Sequence, residues 1–317
     1  EGEPRMVIAP VTESTRSVPT GAASDRRAAR RSGAGGPGAG FWGSLPTLAV
    51  LVAALVYFAL PVVWVLFAAT KSNADLFGSF GLWFSDAPQP LTNLQNLFAT
   101  DRGIYTQWLL NSLFYSGLGA LIATVLSGAA GYAFAKYAFA GREAVFAMIL
   151  GGVLVPATVI ALPTYFMFNA VGLTGTYWSF LLPSIVSPFG VYLCRIYATA
   201  GVPDEVIEAA RLDGAGDVRI FATMATRMMA PALVTVFLFQ FVGIWNNYLL
   251  PLVMLNDART FPVTLGLMLW NGQTQRAPLY YELVVTGAAV SAVLLIVVMA
   301  ALQRFWRAGL TAGATKG

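Results

Sequence analysis

Glu208 is followed by Ala209 and Ala210, then by Asp213 and Gly214, at the head of the stretch EAARLDGAGDVRIFATMATRMMAP that ends at Pro231. A carboxylate among small side chains suits an ion pair or hydrogen bond to a closely fitted surface. It does not by itself suit catalysis, and the rest of the chain removes most catalytic chemistry. None of the 317 residues is histidine, so the commonest general base and metal ligand are missing. Cys194 is the single cysteine, which excludes an internal disulfide or a cysteine cluster, and its apolar neighbours read as packing for a small side chain. No nucleophile–base pair can be drawn from what remains, and no metal site is expected. No G-x-x-x-x-G-K-[ST] loop occurs, so the chain is expected to bind no nucleotide and to carry no cofactor.

The elements that must position Glu208 are apolar. The chain is 57% hydrophobic and 11% charged, against about 25% charged in soluble domains. A membrane span needs roughly 20 apolar residues. Charge-free intervals supply them at 45–69, 103–135, 144–194, 228–256 and 283–303. The third is too long for one span, and NAVGLTGTYW from Asn169 reads as a tight turn inside it. Six spans are therefore expected, in an all-α polytopic membrane protein. No charge falls within the core of any span, which argues against a proton- or ion-coupled carrier acting alone. Pro61, Pro156, Pro163, Pro183, Pro188 and Pro251 fall inside or at the ends of spans, where each allows a kink.

Six spans put both termini on one side. That side collects 15 of the 19 lysines and arginines, including Arg26, Arg27, Arg30, Arg31, Lys136, Arg142, Arg195, Arg211, Arg219 and Arg227. The other side keeps Lys71, Arg102, Arg259 and Arg276. The asymmetry predicts that both termini and the Glu208 segment are cytoplasmic. Residues 1–44, rich in Gly, Ala, Ser, Pro and Arg, are expected to form a disordered basic tail. Met6 follows five residues that read as an expression scar or an upstream start. The tail reads as a topology signal with weak affinity for anionic lipid, not as a cleavable signal peptide or a nucleic-acid site. Two outer loops carry aromatics, FGSFGLWFSDAPQPLTNLQNLF after Lys71 and FPVTLGLMLWNGQTQRAPLYYE after Asp257. These suit either anchoring at the headgroup level or docking of an extracellular partner.

Around Glu208 itself, Pro203 suits a helix start, and Asp204, Glu205 and Glu208 complement the dipole of its first turns. Gly214 and Gly216 should break this helix and turn the chain into a second one, running through Ile220, Phe221 and Met224 towards Pro231. The pair forms a polar element at about 203–230. An amphipathic connector lying on the membrane would need a stronger apolar stripe than the first helix has.

EAARLDGAG resembles the E-A-A-x-x-x-G signature of permease subunits in bacterial binding-protein-dependent ABC importers. Within that family the chain resembles the smaller permease subunit of the maltose type. LLNSLFYS at Asn111–Ser112, IWNNYLLPL around Trp245 and the terminal GLTAGATKG from Gly309 resemble stretches of that branch, and the likeness covers roughly residues 45–317. The signature's leucine–proline pair is replaced here by Thr226 and Arg227, with Pro231 kept, so a straighter or later exit from the second helix is expected.

The resemblance implies a type I ABC importer permease fold over residues 45–307 and a cytoplasmic C-terminal tail at 308–317. It implies a bacterial cell-membrane location and import of a mono-, di- or oligosaccharide. It also implies partners: a second homologous permease, a cytoplasmic ATPase dimer that binds ATP and Mg, an extracytoplasmic sugar-binding protein, and membrane lipid. Glu208, Ala209, Ala210, Asp213 and Gly214 would dock in the ATPase, and the tail from Gly309 would reach between the ATPases. Tyr165, Phe166, Asn169, Trp245, Asn246 and Asn247, at or near span ends, could line the sugar path by stacking and hydrogen bonding. Each of the six also fits helix packing or interface anchoring. The same machinery for a non-sugar solute, or a secondary carrier acting alone, are the competing readings.

Overall fold

The computed structural model describes residues 39–314, with side chains from 46 to 302. The expected basic tail through residue 38 and the chain's last three residues lie outside the described residues. The chain divides at Phe58 into two units, Glu1–Phe58 and Ala59–Gly317. The helix α1 (Ala39–Ala68) begins inside the stretch expected as a tail and runs across that division. After it come α2 (Asn73–Gly78), α3 (Pro90–Ala99), α4 (Ile104–Lys136), α5 (Arg142–Leu154), α6 (Ala157–Ala170), α7 (Tyr177–Ser184) and α8 (Pro188–Gly201). The polar element holds α9 (Asp204–Leu212), α10 (Asp217–Ile220), a π-helical turn Phe221–Ala225 and α11 (Thr226–Met228). Then follow α12 (Ala230–Trp245), α13 (Leu249–Met254), α14 (Val263–Asn271) and α15 (Leu279–Ala314), so the backbone is helical through much of the expected C-terminal tail. No strand occurs among the described residues.

Among the described residues, four stretches are long and apolar enough to cross a membrane: Pro46–Ala68, Ile104–Lys136, Tyr177–Gly201 and Leu279–Leu302. The count reaches six when two bent pairs are each taken as one span. α5 and α6 meet at 106°, and the helix ending at Met228 meets α12 at 81°. The first bend falls at Val155–Pro156, where proline removes an amide donor and starts the next helix. The second shows that the exit before Pro231 is a late, sharp turn at Met229, with Pro231 in the first turn of α12. It is not a straight continuation, so of the two expected exits the later one is observed.

α4 is the central helix of the second unit, packed along α8 and α12. Its buried face is built from small residues, Ser112, Ser116, Ala120, Ser127, Gly128 and Gly131 among them. α8 answers with Gly190, Cys194 and Ala198, four residues apart and all buried. Small side chains let membrane helices approach closely enough for dispersion contacts to hold them together. At Gly131 the approach is so close that an added Cβ would lie 2.5 Å from the Cβ of Cys194.

At the other end of α4 the signal LLNSLFYS has a structural meaning. Asn111 donates Nδ2 to the carbonyls of Arg259 and Phe261, at 2.8 and 2.9 Å. The Ser112 hydroxyl accepts from the Val263 amide at 2.7 Å. Trp108 Nε1 and Tyr115 Oη donate to the carbonyls of Ala258 and Thr260. The loop between α13 and α14 thus hangs from α4 by its own backbone, which leaves few of its polar groups unpaired. Beneath it, Tyr105, Trp108, Phe241, Trp245 and Trp270 form an aromatic core.

Candidate functional site

The Glu208 segment is held from both sides. α8 ends at Gly201, Val202 is buried, and Pro203 turns the chain into α9. Asp204, in the first turn of α9, pairs with Lys136 at the end of α4 at 2.7 Å. Ile207 and Ala210 are buried against Cys194, Ala198, Ile220, Ala225 and Met229. α9 therefore does have an apolar stripe, and it is spent on the chain's own core.

The end of α9 needs a glycine for a conformational reason. Gly214 has φ +81°, and nothing lies within 4 Å of where its Cβ would stand. The amides of Gly214 and Ala215 donate to the carbonyls of Arg211 and Ala210, closing the last turn. Across this turn Arg211 pairs with Asp217 at 2.9 Å. That carboxylate, hydrogen-bonded to the guanidinium, pushes Arg211 still further up from its ordinary value.

Of the five residues expected to dock, Glu208, Ala209, Asp213 and Gly214 are exposed. Glu208 has no hydrogen-bond or ion-pair partner among the described residues. Ala210 faces inward and reaches the wall of a groove. That groove, of about 520 Å³, lies between α9 and the following helix, lined also by Glu205, Ala209, Asp213, Arg219 and Met224. Two residues on this surface were missed. Leu212 is 90% exposed and Val218 83%, one on each side of the Gly214 turn. Their signal in the sequence was an apolar residue at each shoulder of a charged glycine turn.

The second feature is a cavity of about 630 Å³ at the α5–α6 bend. Its walls include Val155, Ile160, Pro183 and Ile244, with the amides Gln240 and Asn247 among the polar groups. Gln240 donates Nε2 to the Ser184 carbonyl at 2.6 Å. The Asn247 Oδ1 accepts from the Leu250 amide at 3.2 Å. Of the six residues expected along the path, Asn247 is in this wall and the other five are not. Trp245 is buried in the aromatic core and stacked on Phe241 at 5.9 Å between centroids. Tyr165 packs against the cluster around Tyr115 and Phe180. Phe166 is exposed beside Tyr165, Asn169 accepts from Thr174, and Asn246 donates back to the Val242 carbonyl. Gln240 was missed because it lies inside an apolar run, away from span ends.

Comparison with known proteins places this arrangement. A family model described as the binding-protein-dependent transport system inner membrane component matches residues 35–310. The arabinooligosaccharides transport system permease protein of Halalkalibacterium halodurans is 31% identical over 260 residues, covering 81% of this chain and 91% of that protein. The maltodextrin transport system permease protein of Bacillus subtilis is 31% identical over 256 residues, covering 78% and 89%. A chain in the crystal structure of a bacterial ABC transporter involved in the import of the acidic polysaccharide alginate superposes with a TM-score of 0.72. It is 18% identical, and the match covers 83% of this chain and 96% of that one, which shows a shared fold.

Proposed function

We infer the function from one premise: this chain belongs to the family of binding-protein-dependent transport system inner membrane components. It is a membrane permease subunit of an ABC importer, and we propose that its cargo is a sugar, most simply an oligosaccharide. The observation that carries the cargo is the set of relatives matched over most of the chain, named for arabinooligosaccharides and maltodextrin.

In this reading the chain forms half of a path whose other half is a second permease. The 630 Å³ cavity, with its aliphatic wall and its two amides, would face that path. Amides offer both donors and acceptors to hydroxyl groups, and apolar walls suit the C–H faces of a sugar ring. α9 would dock on a separate cytoplasmic ATPase that binds ATP and Mg, Glu208 meeting a basic side chain and Leu212 and Val218 seating as apolar knobs. An extracytoplasmic binding protein would deliver the sugar. Both termini and α9 would lie in the cytoplasm, as the lysine and arginine asymmetry supports.

The test is mass spectrometry of what co-purifies with the chain from its native membrane in mild detergent. A second permease, an ATPase and a sugar-binding protein are expected, and ligand screening of that binding protein then reads the sugar. A chain that purifies alone, with uptake abolished by dissipating the proton gradient, would overturn the reading.

A further inference from the structure

Lys71 is 1% exposed, and no carboxylate pairs with it among the described residues. Burying an ammonium without a counter-charge is costly, so its contacts must do something. Its Nζ donates to the Phe80 carbonyl at 2.6 Å and to the Ser79 hydroxyl at 2.9 Å. Ser79 Oγ donates onward to the Asp75 carbonyl, and Asn93 Nδ2 donates to the Lys71 carbonyl at 2.9 Å. One buried lysine thus fixes the turn that follows α2.

The fixed turn presents aromatics outward. Phe80 is 73% exposed and Trp83 63%, with Phe77 and Phe84 exposed beside them. Trp83 and Phe84 rest on the last two turns of α1, while Phe77 packs edge-on against Tyr281 of α15 at 5.1 Å. Phe84 and Trp83 stand 4.7 and 5.6 Å from Phe67, centroid to centroid. Gly81 lies so near Trp64 that an added Cβ would be 3.1 Å from its indole nitrogen. No charge occurs between Asp75 and Asp86. The aromatic face continues the exposed apolar surface of α1 at Leu60, Val63, Trp64 and Leu66.

We propose that residues 76–85 are an interfacial wedge, seated in the bilayer at the end of α1 and held in shape by Lys71. The occupant is lipid. The face is continuous with a membrane-spanning helix, lies at the level of its last two turns, and carries no charge between Asp75 and Asp86. Tryptophan and phenylalanine at a span's end gain from the mixed polar and apolar headgroup zone. The proposal does not depend on the transported solute.

The test uses the full chain in lipid nanodiscs, with single cysteines carrying an environment-sensitive fluorophore. Cys194 is buried and can be replaced by alanine without touching this face. Labels at Phe80→Cys and Trp83→Cys should be quenched by brominated lipid and show a severalfold loss of iodide quenching relative to Ala87→Cys, beyond the charge-free stretch. Adding Lys71→Met should restore iodide access at position 80. Iodide quenching at 80 and 83 equal to that at 87 would overturn the proposal. So would shielding that arises only when a soluble binding protein is added, because that assigns the face to protein. Should one labelled variant fail to insert, the other, or Phe77→Cys, reads the same face.

Discussion

Replacing Gly131 by alanine tests the close crossing of α4 and α8, on which the placement of α9 depends. The added Cβ would stand 2.5 Å from the Cys194 Cβ, 2.7 Å from the Arg195 amide nitrogen and 2.8 Å from the Cys194 carbonyl carbon. Two of these are backbone atoms and cannot rotate away, so the helices must part. Overpacking of this kind costs about 1–3 kcal/mol, with backbone clashes at the upper end. Against it, alanine gains about 1 kcal/mol over glycine in a helix interior. The net expectation is a loss of about 2 kcal/mol. Gly117, on the same helix, has nothing within 4 Å of its Cβ position, so Gly117→Ala is the control and should be neutral or mildly stabilising. Cys194 supplies the assay. It is the chain's only thiol and is buried against Gly131, so a thiol-reactive dye added during heating in detergent reports the opening of this contact. Gly131→Ala should melt roughly 4–8 °C below the wild type, at about 2–4 °C per kcal/mol for a chain of this order of size. A melt at or above the wild-type temperature would refute the close-packed crossing and the argument that α8 places α9.

Glu208→Lys should insert and melt like the wild type, because the side chain is exposed and unpaired, yet lose ATP-driven uptake in reconstituted vesicles. Wild-type uptake would remove Glu208 from the coupling role. Gly214→Ala places a Cβ at φ +81°, which costs about 1–2 kcal/mol. Faster hydrogen exchange at Ala215 and weaker ATPase binding should follow, and unchanged exchange there would contradict the turn assignment. Asn247→Ala and Gln240→Leu should each raise the KM for uptake without altering ATPase co-purification, whereas Phe166→Ala, outside the cavity wall, should not. Equal KM values for all three would detach the cavity from transport.

The spans were legible because a bilayer tolerates few charges, and the intervals between charged residues mark them out. The polar helix–turn–helix around Glu208 was legible for the opposite reason, since charge and glycine inside an apolar chain stand out. The bend at Val155–Pro156 was not. Six prolines carried the same kink signal, yet Pro163 and Pro183 sit inside helices while Pro156 ends one and begins the next. What decides is whether neighbours take up the freed carbonyls, and that is a tertiary property. The candidate path residues show a different limit. Trp245 and Asn247 were paired by residue type and nearness to a span end. α12 ends at Trp245, and Asn247 lies beyond it, where the chain has left the helix and its direction is set by the break before α13. The structure divides them, Trp245 into the core and Asn247 to the cavity. The same wall holds Gln240, the amide that residue type and nearness to a span end passed over. In a lipid-embedded chain, where hydrophobicity no longer separates inside from outside, a residue beyond the last helical turn takes its direction from the element that follows, which residue type does not show.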